Sequence, residues 1–395
     1  MSVTFSWSGA PTWYSPYSSA VGRERTISNP FTDAKQAAAD FLGVVSEISE
    51  QYGERILVLP SSDTNIMFLA DNFEMFAPYI QVMGVRDFSA VRMDIVNKYE
   101  CARRLSTHCP ELVPLTRRCS SHDDIDKVVE EMVFPAIYKP ATKDYGQSFY
   151  REHDGNKAIE CEDADTLRKM LSREVDAGFD LVVQEKMEFD SPREEIPFYL
   201  YADAEGRITM AANGIKETIE PHPFGTAIVL RFAWVAELTA LAEKVVSALD
   251  YRGVLMIEFL KDQKDDQWKV VEVNPRHWLF NGFYRRLDLN YTDQLLNDLY
   301  GTTSGSAMIT ATDATLARNH AHVDLVALAE RWTREEKRLS FQGYMDKLGA
   351  IDGTLSDPFL DPVDPEPGLR RIQDLLMDQG WGAGNTDRVV SRLGA

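Results

Sequence analysis

Two glutamates stand where a buried strand should carry none. Glu258 interrupts the apolar run GVLMIEFL, and Glu272 interrupts QWKVVEVN. Alternation does not excuse either charge, because both faces of each run read as buried. The charged segment KDQKDD joins the two runs, so they read as a hairpin. If its loop is centred near Asp265, Glu258 stands opposite Glu272, and Asn274 lies two residues on along the same face. At about 4 Å and an effective dielectric near 20, two such carboxylates repel by roughly 4 kcal/mol. A hard divalent cation held by two carboxylates and an amide oxygen, without His or Cys, would relieve this. Protonation of one glutamate, or pairing with Arg252 or Arg276, would relieve it too. Pro275 ends the ladder and Arg276 follows at once, where a guanidinium can fork onto a phosphate or a carboxylate.

Three other positions carry charge or polarity at odds with their surroundings. Lys139 closes the apolar run VFPAIYK before Pro140, Lys98 sits in DIVNKYECARRL, and LVVQEKM ends its apolar stretch with Gln184 and Glu185. Taken singly, these read as a snorkelling lysine, a helix-surface charge and a strand reaching solvent. Their order along the chain, together with the hairpin, is what gives them a common chemistry.

The chain has 395 residues, and 42 basic against 62 acidic side chains leave a formal charge of −20. Such a surface repels nucleic acid, so a polyanionic ligand must meet local lysines, arginines or a metal. Four cysteines without a CxxC make neither a disulfide framework nor a zinc knuckle, and read as reduced thiols. The N-terminus lacks the pattern of a secretory signal and no apolar run approaches about 18 residues, so a cytoplasmic protein with no membrane partner is expected. No Ser-His-Asp or Cys-His arrangement suggests a nucleophilic side chain.

The elements that must position these residues follow from periodicity. Helix patterns cover DAKQAAADFLGVVSEISEQ, the segment opened by SSDTN, and SAVRMDIVNKYECARRL, with strands at RILVLP and YIQVMG, which together read as a doubly wound unit. Further on come the strand VFPAIYKP, the helix DADTLRKMLSREVDAG, and the strands LVVQEKM, IPFYLYAD and ITMAANG, which suit a smaller α+β unit. The helix WVAELTALAEKVVSALD leads into the glutamate hairpin, and later helices are expected at HVDLVALAERWTREEKR and LRRIQDLLMDQG.

Taken in order, Lys98, YKP at 138–140, VVQEKM at 182–187, MIEF at 256–259 and EVNPR at 272–276 resemble the ATP-grasp superfamily, in particular its carboxylate-amine ligases of the D-aspartate-ligase-like group. The resemblance implies a mixed α/β and α+β architecture with four parts. These are a doubly wound N-terminal domain at 1–115 that lacks its first βα unit, a small lid at 116–190, a larger antiparallel-sheet subdomain at 191–300, and a C-terminal helical extension at 301–395. It implies Mg-ATP held between two antiparallel sheets, with manganese as an alternative metal. Lys98 and Lys139 would hold the phosphates, and Gln184, Glu185, Lys186 and Met187 would line the adenine pocket. Glu194 or Glu195 would meet the ribose, and Glu258, Glu272 and Asn274 would ligate the metal. Arg276 would steady the transferred phosphoryl group, with Lys216 beside the phosphates or acceptor. The lid loop ATKDYGQSFY carries a single glycine, Gly146, and would add contacts through Lys143, Ser148 or Tyr150. The implied activity joins a small carboxylic acid, an amino acid, to an amine through an acyl phosphate, in a chain able to form a homodimer. The alternatives are a peptidoglycan-precursor ligase and a non-catalytic nucleotide-binding module serving regulation or assembly. The aromatic run after EVNPR, with His277, Trp278, Phe280, Tyr284 and Arg285, reads equally as pocket lining or as core.

Overall fold

The computed structural model of the protein describes residues 3–8, 22–82, 92–143, 148–191, 194–222, 225–302, 308–310, 316 and 319–393. Strands β1 (Val3–Trp7) and β2 (Arg23–Ile27) pair in parallel, as do β3 (Ile56–Val58) and β4 (Ile80–Val82). The N-terminal segment, expected to begin one βα unit late, thus opens on a strand; residues 9–21, which follow it, lie outside the described set. Between the two pairs runs the helix Ala34–Tyr52, N-capped by Asp33 and ended by Gly53 in the left-handed region at φ 69°. Its Ala37, Ala38, Phe41 and Val45 pack against Phe68, Leu69 and Phe76. Past the end of β3 the chain turns into the helix Asp63–Asp71, with Ser62 as N-cap. Asp63 therefore lies beyond the carboxyl end of a parallel strand, where α/β units present ligand-facing residues.

A four-stranded sheet comprises β5 (Thr116–Cys119), β6 (Ala136–Pro140), β7 (Ile159–Cys161) and β8 (Leu181–Glu185), all antiparallel in the order β5-β8-β6-β7. The helices His122–Glu131 and Ala164–Asp176 bury Ile125, Val128, Leu167 and Leu171 against Tyr138 and Val183.

The largest sheet has seven strands. It is built from β9 (Glu195–Ala202), β10 (Ile208–Glu220), β11 (Thr226–Ala233), β12 (Gly253–Asp262), β13 (Gln267–Asn274), β14 (His320–Val323) and β15 (Thr354–Ser356), ordered β13-β12-β9-β10-β11-β14-β15. Both faces are covered, as the apolar runs required. Leu255, Ile257 and Phe259 of β12 face the helix Leu238–Leu249, and Val254 and Met256 face Trp278, Phe283, Tyr284 and Tyr291. The aromatic run after EVNPR is therefore core. Trp278 stacks at 4.5 Å on Tyr199, whereas Arg285 lies outward at 3.7 Å from Asp361.

The C-terminal region is more than the helical extension expected from the sequence. Strands β14 and β15 extend the large sheet, and helices Leu325–Glu336, Phe341–Ala350 and Glu366–Asp378 close a third core around Leu328, Tyr344 and Leu375. The strand was hidden because β14 reads HAHV, yet His322 is fully buried against Phe280 and stays neutral, its pKa pushed down to about 3 by burial. Arg371 staples this part together by donating to Asp357 at 2.9 Å and Asp324 at 2.6 Å. Replacing Arg371 by Met should destabilise the protein by about 3–5 kcal/mol, because two carboxylates lose their counter-ion in a buried setting. Urea denaturation of wild type and variant measures this directly.

Candidate functional site

The glutamate hairpin forms, and Glu258 pairs directly with Glu272. The reason is less simple than a loop centred on Asp265. Beyond the turn, Asp262 faces Gln267 and Phe259 faces Val270, a frame that would have set Glu258 opposite Val271. A β-bulge at Val271 inserts one residue and restores the glutamate pair. Glu258 continues the face that carries Val254 and Met256 but projects beyond its aromatic cover, so its side chain keeps 16% exposure and Glu272 keeps 22%.

Lysines rather than arginines answer these charges. The Lys216 ammonium on β10 stands 2.5 Å from Glu195 and 3.4 Å from Glu258. Burial alone would discharge Lys216, but the two carboxylates more than offset it and raise its pKa. Burial raises the pKa of Glu258, with Lys216 opposing, whereas in Glu195 burial is offset by Lys216, the hydrogen bond with Glu258 and Lys157 together, and the pKa falls. Lys98 stands 3.7 Å from Glu272, where burial works to raise the pKa but the surrounding cations, Lys98 foremost and Lys143 with it, bring it down. Lys98 is the first residue of the helix Lys98–His108, capped by Asn97. A cation there opposes the helix dipole, so it is set for the site rather than for the helix. Arg252 lies elsewhere, bonded to Asp250 and the Ala204 carbonyl.

Lys139 reaches across from β6 and donates to the carbonyl of the bulged Val271 at 3.3 Å. It is buried, and desolvation pushes its pKa down to about 8 despite the opposing charge of Glu272. The edge strand β13 is thereby blunted twice, by its bulge and by a lid lysine.

Arg276 donates to Asp63, to Asn274 Oδ1 at 3.1 Å and to the His277 carbonyl at 3.2 Å. The other oxygen of Asp63 takes the Lys143 ammonium at 2.8 Å. The two cations together overcome burial and hold the Asp63 carboxyl well below the usual carboxylate range. Asp63 was not anticipated from the sequence; SSDTN reads only as a helix start. Lys157 was missed likewise. It lies in the turn before β7, and burial lowers its pKa while Glu258 and Glu272 push the other way. The one available signal for it was its place between the lid loop and a strand.

The residues expected around the base lie in different surroundings. Gln184 lines a cavity of about 30 Å³ with Lys98, Lys139, Leu105, Val113 and Val270–Val273, and its amide donates to Thr116 at 2.9 Å. That space holds about one water, so a purine enters only if the sheets part. Glu185 and Lys186 point elsewhere: the Glu185 carboxylate accepts from the Leu115 N–H at 2.8 Å, and Lys186 pairs with Glu160. The main-chain N–H groups of both are taken by Leu115 and Pro135. Met187 is buried. Glu194 accepts from Asp190 and Gln263 in the loop, away from the cluster that Glu195 joins. Gly146 lies outside the described residues, while Ser148 and Tyr150 sit on the helix Ser148–Glu152.

The donor set fits magnesium. Among the described residues no three His, Cys, Asp or Glu side chains converge as a self-sufficient metal site. Two carboxylates and Asn274 nonetheless suit an ion that keeps water or phosphate oxygens in its remaining positions, and the lysine ammonium beside Glu258 shows that this spot attracts a cation. If Glu272 ligates magnesium, Glu272→Gln is expected to cut turnover at least about 100-fold while harming folding far less, because the substitution also relieves repulsion with Glu258. Paired kinetic and denaturation measurements check this; equal losses in both would remove Glu272 from the chemistry.

No family model matches the sequence, and no curated protein does. Solved structures do match in shape. An L-amino acid ligase from Bacillus licheniformis is 19% identical with a TM-score of 0.53, covering 75% of this chain and 67% of its own. Biotin carboxylase from Campylobacter jejuni, solved as a β,γ-ATP complex, is 13% identical with a TM-score of 0.54, covering 77% and 66%. The biotin carboxylase domain of Hydrogenobacter thermophilus 2-oxoglutarate carboxylase, a dimer with MgADP and bicarbonate, is 14% identical with a TM-score of 0.55, covering 78% and 65%. The chain thus spans about two thirds of the length of these structures. Among the described residues no helix is long and apolar enough to cross a membrane. With a four-stranded and a seven-stranded sheet flanking a lysine- and glutamate-lined cleft, the chain has the ATP-grasp fold.

Proposed function

We propose that the protein is an ATP- and magnesium-dependent ligase that activates a small carboxylic acid, an amino acid, as an acyl phosphate and joins it to an amine. The observation that carries this reading is the apposition of Glu258 and Glu272 on one hairpin, with Asn274 and Arg276 at its end and lysines converging from the other elements. An L-amino acid ligase is among the solved structures that share this fold.

A carboxylate does not acylate an amine unaided. Its oxygen attacks the γ-phosphorus, the bond to the β-phosphate oxygen breaks, and ADP leaves. The amine nitrogen then attacks the acyl carbon, the C–O bond breaks, inorganic phosphate departs with the electron pair, and the nitrogen gives up a proton. Bound at Glu258, Glu272 and Asn274, magnesium would neutralise charge on the phosphate oxygens. Lys98 and Lys139 would hold the phosphates, and Arg276 would steady the transferred phosphoryl group through its planar fork. The lid would exclude water, which otherwise hydrolyses the acyl phosphate.

Incubation with Mg-ATP and pairs drawn from a library of amino acids should release ADP and phosphate only with the matching pair. Absence of any magnesium-dependent nucleotide binding by calorimetry would sink the reading. A pH effect follows from Lys139. Its ligand-free pKa of about 8 lies below the ordinary lysine value, and a phosphate beside it favours the charged form. Nucleotide binding at pH 8 is therefore expected to take up about 0.5 proton, read from titrations in buffers of different ionisation enthalpy. Lys139→Met should abolish that uptake.

A further inference from the structure

The carboxylate of Asp63 sits between two cations from other parts of the chain. Arg276 comes from the end of β13, and Lys143 follows β6 at the entrance to the lid loop. The side chains of Asp63 and Arg276 are buried, with exposures of 7% and 13%, and Lys143 is one quarter exposed. The edge of the guanidinium that carries Nε is given to Asp63, while its other contacts tie it to Asn274 and the His277 carbonyl. A carboxylate gripped in this way has the charge and the bond pattern of an anionic reactant. For Arg276 to offer that edge to a phosphoryl group, Asp63 must let go.

We propose that Asp63 is a built-in competitor for the anion site: in the ligand-free protein it holds the place between Arg276 and Lys143 that the transferred phosphoryl group takes in turnover, and it is displaced when the site loads. This rests on the ligase reading, in which Arg276 meets that group. The contact also joins the N-terminal part, the lid and the large sheet through one carboxylate, so its displacement frees all three at the moment a nucleotide enters. Keeping the two cations paired avoids leaving them buried and uncompensated while the site is empty. The consequence is a reduced apparent affinity, since only the fraction of molecules with Asp63 released can bind.

The sign of the effect separates this role from a positioning one. A residue that merely aims Arg276 would, on removal of its charge, weaken nucleotide binding; a competitor would strengthen it. Isothermal titration of magnesium with the non-hydrolysable β,γ-imido analogue of ATP is carried out on wild type, Asp63→Asn and Asp63→Ser, each checked for a native circular-dichroism spectrum. The serine variant guards against misfolding of the asparagine one, and serine suits the first turn of a helix. The expected result is a dissociation constant about tenfold lower in the variants than in wild type. Binding by wild type with equal or weaker binding by a folded variant overturns the competitor role and leaves the ligase reading intact. Absence of binding by all three proteins overturns both.

Discussion

The like-charge pair of Glu258 and Glu272 is the constraint to which the rest of the site responds. Antiparallel pairing places the two carboxylates directly across from each other at the end of an apolar face, where neither can be fully solvated. Their repulsion is tolerable only with cations close by. Those cations come from separate elements: Lys98 from a helix start, Lys139 and Lys157 from the lid, and Lys216 from β10. Charge balance in the cleft is therefore a property of the assembled domains and not of any one of them. It also reconciles a chain of charge −20 with a site suited to a polyanion, because the six basic side chains gathered here outnumber the acidic ones locally.

Rigidity and movement divide along the same lines. Glu258, Glu272 and Asn274 are carried by one hairpin, Glu195 by the neighbouring β9, and the face behind them is filled by Tyr199, Trp278, Tyr284 and Tyr291 in direct ring contact. A packed core of this kind holds the acidic set in fixed geometry. Lys139, Lys143 and Lys157 belong to the smaller sheet and its loops, joined to the hairpin by polar contacts rather than by a shared core. A cavity of about 30 Å³ lies at the junction.

Much of the site was legible because it violates local rules. A glutamate inside an apolar strand is costly, and two of them with a short charged loop between must find positive partners or a proton. The same logic singled out Lys139 and Arg276. It failed for Asp63, since an aspartate in the first turn of a helix is ordinary, and for Lys157, since a lysine in a turn is ordinary. The resemblance implied that Glu185 and Lys186 line the base pocket, whereas the Leu115 N–H and Glu160 claim their side chains. Partners some 25 to 70 residues away leave no trace in the local pattern.

The sequence by itself determined which strands are buried on both faces, where the charges interrupt them, and that those charges need partners, because these are consequences of burial and residue type. Only the tertiary structure decided the register, through a bulge at Val271 that no composition reveals, and decided which lysine meets which glutamate. It alone drew Asp63 from the N-terminal part onto Arg276. Ion pairs form between groups that packing brings within a few ångströms, and packing is settled by the sum of the apolar cores and not by the neighbours of any charge along the chain.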